Sequence, residues 1–243
     1  YAYKTGLSGK NVTVAIMDTG IVPHVDFGNR IRYFGDFCEG NGWQYYWYVP
    51  QNIPDLIELT GGEDAFCKRL DEFFTSDETS GAKNDNASGF VGLYAHGNEP
   101  SHHVAYLYAM AGQPAKTQQL VEHIKRTLYN TSSSGYAGND DCGEMSAWYV
   151  FSALGFYPVN PASGEYVIGS PTVDHAEIML PGGKKFTIVV KRKGGAGAAY
   201  VKSVKLNGHK LDGYVLKHAD IMKGGTLEFE MVARPKGKVL NLR

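Results

Sequence analysis

The spacing of the apolar residues changes once along this chain, and that change constrains the fold more than any other feature. From Glu39 to Tyr157 the spacing is helical. Phe66, Leu70, Phe73 and Phe74 fall at i, i+4, i+7 and i+8, and Leu120, Val121, Ile124 and Leu128 make a similar face. Past Pro158 the period drops to two. Tyr166–Ile168, Glu177–Leu180, Phe186–Val190, Val201–Leu206, Tyr214–Lys217 and Thr226–Val232 read as strands. Ahead of both lies Asn11–Met17, a β-branched apolar run of the kind buried in a parallel sheet. The class is therefore α+β, with segments expected at 1–37, 38–158 and 159–243.

Punctuation residues place the elements. Pro100 and Pro114 stand where helices start, and Gly112, Gly135 and Gly155 where they stop. The spacing predicts helices at 41–48, 53–60, 63–75, 100–111, 115–129 and 144–154, joined as antiparallel hairpins. Thr75 to Gly92 is a polar loop. Pro181-Gly182-Gly183 and Asn207-Gly208 are turn signals, the second fitting a type I′ hairpin. The tail thus reads as a small antiparallel β module.

Composition excludes some partners. The 243 residues carry 24 basic and 25 acidic groups, a net charge of −1, so no basic surface invites nucleic acid. No apolar run is long enough to span a membrane. No signal peptide is read at the start, which opens at Tyr1. Cys38, Cys67 and Cys142 make no metal-binding pair; buried free thiols are the expectation, with a Cys38–Cys142 bridge as the alternative.

Two loops carry the chemistry. Glu39-Gly40-Asn41-Gly42-Trp43-Gln44 and Gly138-Asn139-Asp140-Asp141-Cys142-Gly143 each set carboxylates beside glycines, ahead of an aromatic-rich helical run. Sugar cleavage needs two carboxyl groups facing each other across a glycosidic bond, with flat groups to hold the sugar. Ordinary acids at helix N-termini would look the same, and spacing alone favours that plainer reading.

Longer motifs change the balance. Cys38-Glu39-Gly40-Asn41-Gly42-Trp43-Gln44-Tyr45, Gly97-Asn98-Glu99-Pro100-Ser101-His102-His103 and Ala111-Gly112-Gln113-Pro114 occur in order. Gly138–Asp141, Met145–Tyr149, Leu154–Pro158 and Tyr166–Pro171 follow. Over residues 38–243 the chain resembles the C-terminal part of family-92 glycoside hydrolases, calcium-dependent exo-α-mannosidases. The resemblance implies a partial (α/α)6 toroid followed by the β module. It implies that the toroid's first helices and a preceding β-sandwich are absent, leaving an incomplete pocket and apolar edges open to self-association. It also implies a mannose-containing glycan as partner and a periplasmic, cell-surface or secreted location. Residues 1–37 resemble instead the first strand region of subtilisin-like peptidases, with Asp18 as the orienting acid. The histidine and serine motifs of that family are missing, so no triad forms.

By the mannosidase resemblance, Glu39 is the general acid and Asp141 the general base of an inverting hydrolase. That implies carboxyl groups about 6.5–9.5 Å apart. Asn139 and Asp140 support the base, Asp140 more as a helix N-terminal acid. Asn98 and Glu99 are the candidate ligands of Ca2+, which prefers oxygen donors. Trp43, Gln44, Glu99, His102 and His103 are candidate sugar contacts, as is Trp148. A zinc site on Glu99, His102 and His103 is a weak alternative, and His103 is as readily a core histidine. Trp47 is read as core, and His96 is left undecided. A non-catalytic carbohydrate-binding remnant is the competing function.

Overall fold

The structure, a computed structural model, describes residues 40–76 and 87–242. The expected strand near Asn11, the Asp18 segment, Cys38 and Glu39 lie outside the described residues, as does the middle of the Thr75–Gly92 loop.

Four predicted helices sit where the spacing puts them. Helix α2 spans Ile53–Leu59, α3 Glu63–Thr75, and α5 Pro114–Leu128 with Pro114 at its first position. Helix α6, Glu144–Leu154, stops at Gly155, whose φ of +98° closes the last turn on Phe151 and Ser152. The apolar stripes of α3 and α5 point inward together. Phe66, Leu70, Phe73 and Phe74 surround Trp47, and Leu120, Val121 and Ile124 join the same core.

Two predicted helices are shorter or broken. Helix α1 is only Gly42–Tyr45, because Pro50 bars its predecessor from helical geometry and Trp47 turns into the core. The stretch read as a helix over 100–111 is two 3-10 turns, Glu99–Ser101 and Val104–Tyr106, followed by a short helix α4, Leu107–Met110. Every residue from Ser101 to Ala109 is buried. With no solvent face to select a 3.6 period, tight three-residue turns serve as well. Between α3 and these turns lies a small hairpin, β1 (Phe90–Val91) with β2 (Tyr94–Ala95).

The β module is mixed rather than antiparallel. Strands β5 (His175–Met179), β6 (Lys185–Lys193), β7 (Tyr200–Leu206), β8 (His209–Lys210) and β10 (Gly225–Val232) form one sheet in the order β5-β6-β10-β7-β8. The β5–β6 and β7–β8 hairpins are antiparallel, as their turns predicted. Strand β10 arrives last and inserts between them, parallel to β6. Alternation on one face buries Phe186, Ile188, Leu227, Phe229 and Met231 in a second core. Asn207 and Gly208 have φ of +51° and +83°, the left-handed pair a type I′ turn requires. A second sheet joins β3 (Phe156–Tyr157), β4 (Glu165–Ile168) and β9 (Val215–Lys217), with helix α7 (His218–Ile221) following β9. It couples the end of α6 to the β module.

Ion pairing ties α5 to its surroundings. Lys116, 5% exposed in its side chain, reaches Asp71 on α3 at 2.6 Å. Lys125 donates to the Ser170 carbonyl at 2.6 Å and the Thr172 hydroxyl at 2.5 Å. Buried ammonium groups survive only with such partners.

Candidate active site

Three loops meet at one end of the helical region. The first leads into α1. Asn41 caps that helix by accepting from the Trp43 amide at 2.9 Å, while Gln44 accepts from the Asn41 amide at 2.8 Å. The second is the Glu99–Ser101 turn, against which α1 packs. The third runs from Gly138 to Glu144. A Cβ on Gly138 would lie 3.0 Å from the Gly97 carbonyl, so the second and third loops approach backbone to backbone.

The third loop has an unusual shape. Asp141, Cys142 and Gly143 take φ of +43°, +59° and +91° in succession. A left-handed conformation costs a non-glycine residue roughly 1–2 kcal/mol. Hydrogen bonds offset it: the Asp140 carbonyl accepts from Gly143 and Met145, and the Asp141 carbonyl from Glu144. Asp140 also accepts from the Ser146 amide at 2.9 Å, the helix-start role read for it. The turn leaves Asp141 exposed at the surface.

There Asp141 meets Glu99. Burial raises the Glu99 carboxyl above its ordinary range, and the neighbouring Asp141 carboxyl raises it further. His102 stands behind them. Its Nε2 is 3.0 Å from the His96 carbonyl and therefore bears the proton. Its Nδ1 lies 3.5 Å from Glu144, the first residue of α6, and the nearby imidazole holds the Glu144 carboxyl below its ordinary range. Glu144 is the member of this group that sequence reasoning missed. Its place three residues after Asp141, at a helix start, was the available signal.

The remaining candidates separate into surface and support. Trp43 is 43% exposed and Asn139 is exposed. Gln44 is buried, and its amide also donates to the Leu93 carbonyl at 2.6 Å, so it shapes the first loop and does not face solvent. His103 is a core histidine: its Nε2 is 2.8 Å from the Trp47 carbonyl, and burial pushes it down to about 4. Trp148 is not a pocket wall. It is fully buried and donates to the His102 carbonyl at 3.0 Å. Trp47 is core, as read. His96 is resolved as a neutral structural group between the hydroxyls of Tyr94 (2.7 Å) and Tyr129 (2.6 Å), held well below its ordinary pKa by burial.

Among the described residues no three His, Cys, Asp or Glu side chains gather to hold a metal ion. For the zinc alternative, His102 and His103 each direct Nε2 to a backbone carbonyl, and with Glu99 they form no metal-holding group among the described residues. Buried Asn98 and half-buried Glu99 are oxygen donors suited to calcium. They supply two of the roughly six to eight oxygens that ion takes. Cys67 is a buried free thiol, whereas Cys142 is free but exposed, against expectation.

Known proteins share sequence and fold with this chain. The chain is similar to a family GH92 α-mannosidase of Bacteroides thetaiotaomicron at 40% identity and a TM-score of 0.76, over 84% of this chain and 27% of that one. That protein is also known in complex with mannoimidazole. An inverting GH92 mannosidase of the same organism is similar at 39% identity and a TM-score of 0.71, over 84% of this chain and 29% of that one. An uncharacterized secreted glycosidase of Arthroderma benhamiae is 31% identical over 195 residues, 79% of this chain and 23% of its own length. The chain thus spans less than a third of each relative. Among the described residues no helix is long and apolar enough to cross a membrane. The model of the glycosyl hydrolase family 92 catalytic domain matches residues 23–233, a span that starts ahead of residue 38 and takes in all three loops. The chain belongs to glycosyl hydrolase family 92.

Proposed function

We infer that this chain carries the base side of an inverting α-mannosidase site, which removes terminal α-linked mannose from glycans. The observation that carries the reading is Asp141 held exposed on its left-handed turn, near enough to Glu99 to raise that carboxyl. Asp141, exposed on its left-handed turn, takes a proton from water as that water attacks the anomeric carbon. Glu39, which lies outside the described residues, would be the acid that protonates the departing oxygen. Inversion follows from attack by water opposite the leaving group. Mannosidase neighbours, one inverting and one bound to mannoimidazole, support the substrate class.

Asn98 and Glu99 would supply two oxygens to a calcium ion, which when bound would hold hydroxyls of the terminal sugar. His102 and Glu144 would keep the second and third loops in register. The helical region would form part of an (α/α)6 toroid, and export would match the relative described as secreted. The test is incubation of the chain with α-1,2-mannobiose and calcium, beside Asp141→Asn. Mannose release by the parent and its loss in the variant are expected. Release that survives Asp141→Asn would refute the assignment.

A further inference from the structure

Among the described residues, Arg69 is a cation without a counter-charge. It lies on α3, half-buried, with its guanidinium 4.1 Å from the Tyr46 ring and 5.7 Å from the Trp43 ring. Its Nε is buried with no hydrogen-bond partner. None of the ion pairs among the described residues involves it. The other partly buried cations contrast sharply with it. Lys116, Lys125 and Arg192 each hold an acid within 3.2 Å. A guanidinium presents a planar fork of donors matched to carboxylate and phosphate.

Beside it stands Trp43, an exposed indole on the helix that packs against the Glu99 turn. Sugars lie with their C–H faces on such rings, and the surrounding site belongs to a glycoside hydrolase family. We propose that Trp43 and Arg69 form a subsite for a sugar bearing an anionic substituent, phosphate or carboxylate. The indole supports the ring, and the guanidinium takes the charge. The sugar half rests on the mannosidase reading, and the charge half does not.

The three tryptophans make the test direct. Trp47 and Trp148 are fully buried, so acrylamide quenching of fluorescence reports on Trp43. In the full chain, mannose 6-phosphate and glucuronate should each protect Trp43 at concentrations roughly tenfold lower than mannose, the margin of a charge-assisted contact. A response to one of the two alone identifies which anion the subsite takes. Salt raised from about 0.05 to about 0.5 M should erode the preference, and Arg69→Gln should abolish it. Should Arg69→Gln not fold, Arg69→Lys, which keeps the charge but loses the fork, and the salt dependence of the parent decide. Equal protection by mannose, a preference unchanged in the Arg69 variants, or full protection by inorganic phosphate alone would overturn the proposal. Failure of the two readings is separable. Asp141-dependent release of mannose without a charge preference sinks only the subsite. A charge preference without mannoside binding sinks only the mannosidase.

Discussion

Trp148→Phe tests whether the candidate site is held from behind. The indole is fully buried, stacks within 5° of the Tyr129 ring plane at 5.9 Å, and touches His96 at 4.4 Å between centroids. Its Nε1 donates to the His102 carbonyl at 3.0 Å, directly under the Glu99 turn. Phenylalanine keeps an aromatic ring there but removes that donor. A buried carbonyl losing its partner costs about 1–3 kcal/mol. The smaller ring leaves a void of about 40 Å3, worth about 1 kcal/mol at ~24 cal/mol per Å3. The sum is about 2–4 kcal/mol, a large share of the ~5–15 kcal/mol that stabilises a typical domain. Urea unfolding followed by far-UV circular dichroism measures it without relying on tryptophan emission. A loss under about 1 kcal/mol would refute the reasoning, because the His102 carbonyl would then have found another donor.

Other outcomes follow from the same geometry. Asp141→Asn should move the Glu99 titration, read by 13C NMR of its carboxyl, down toward the ordinary glutamate value, since one of the causes that raise it is removed. An unmoved midpoint contradicts the pairing. Gly92→Ala should cost more than about 2 kcal/mol in thermal unfolding, because φ is +61° and the new Cβ would meet the Phe74 carbonyl carbon at 2.5 Å. A neutral result would mean the backbone at Phe73–Phe74 gives way freely. Burial lowers Lys125 to about 8 from an ordinary 10.5. Between those values the unfolded chain holds the extra proton, so stability owed to this group rises with pH across that window. Lys125→Met should flatten the rise in denaturation midpoints there, and an unchanged slope would count against the buried ammonium.

Much of this was legible where a local rule decides. The stripes of α3 and α5, the Pro114 start and the Asn207-Gly208 turn each follow from nearby residues. The places where the sequence misled are set by long-range partners. Nothing local says that β10 inserts between β6 and β7 and runs parallel to β6. Nothing local breaks the Ser101–Ala109 stretch into turns, since a segment buried on all sides has lost the polar face that marks a helix. In the site, Asp140 as a helix-start acid was readable from its position. Gln44, His103 and Trp148 were candidate sugar contacts by resemblance, His103 as readily a core histidine, and each directs a nitrogen to a backbone carbonyl far along the chain. Residue type gives chemistry, and only the packing gives the direction in which it points.

The most direct test of the mannosidase account is the anomer of the first mannose released. Proton NMR of methyl α-1,2-mannobioside, whose leaving sugar stays locked as a methyl glycoside, mixed with the chain and calcium would resolve it before mutarotation. The account predicts β-mannose first, with release lost in Asp141→Asn. α-Mannose first, or release undiminished by Asp141→Asn, would contradict Asp141 as the base of an inverting site.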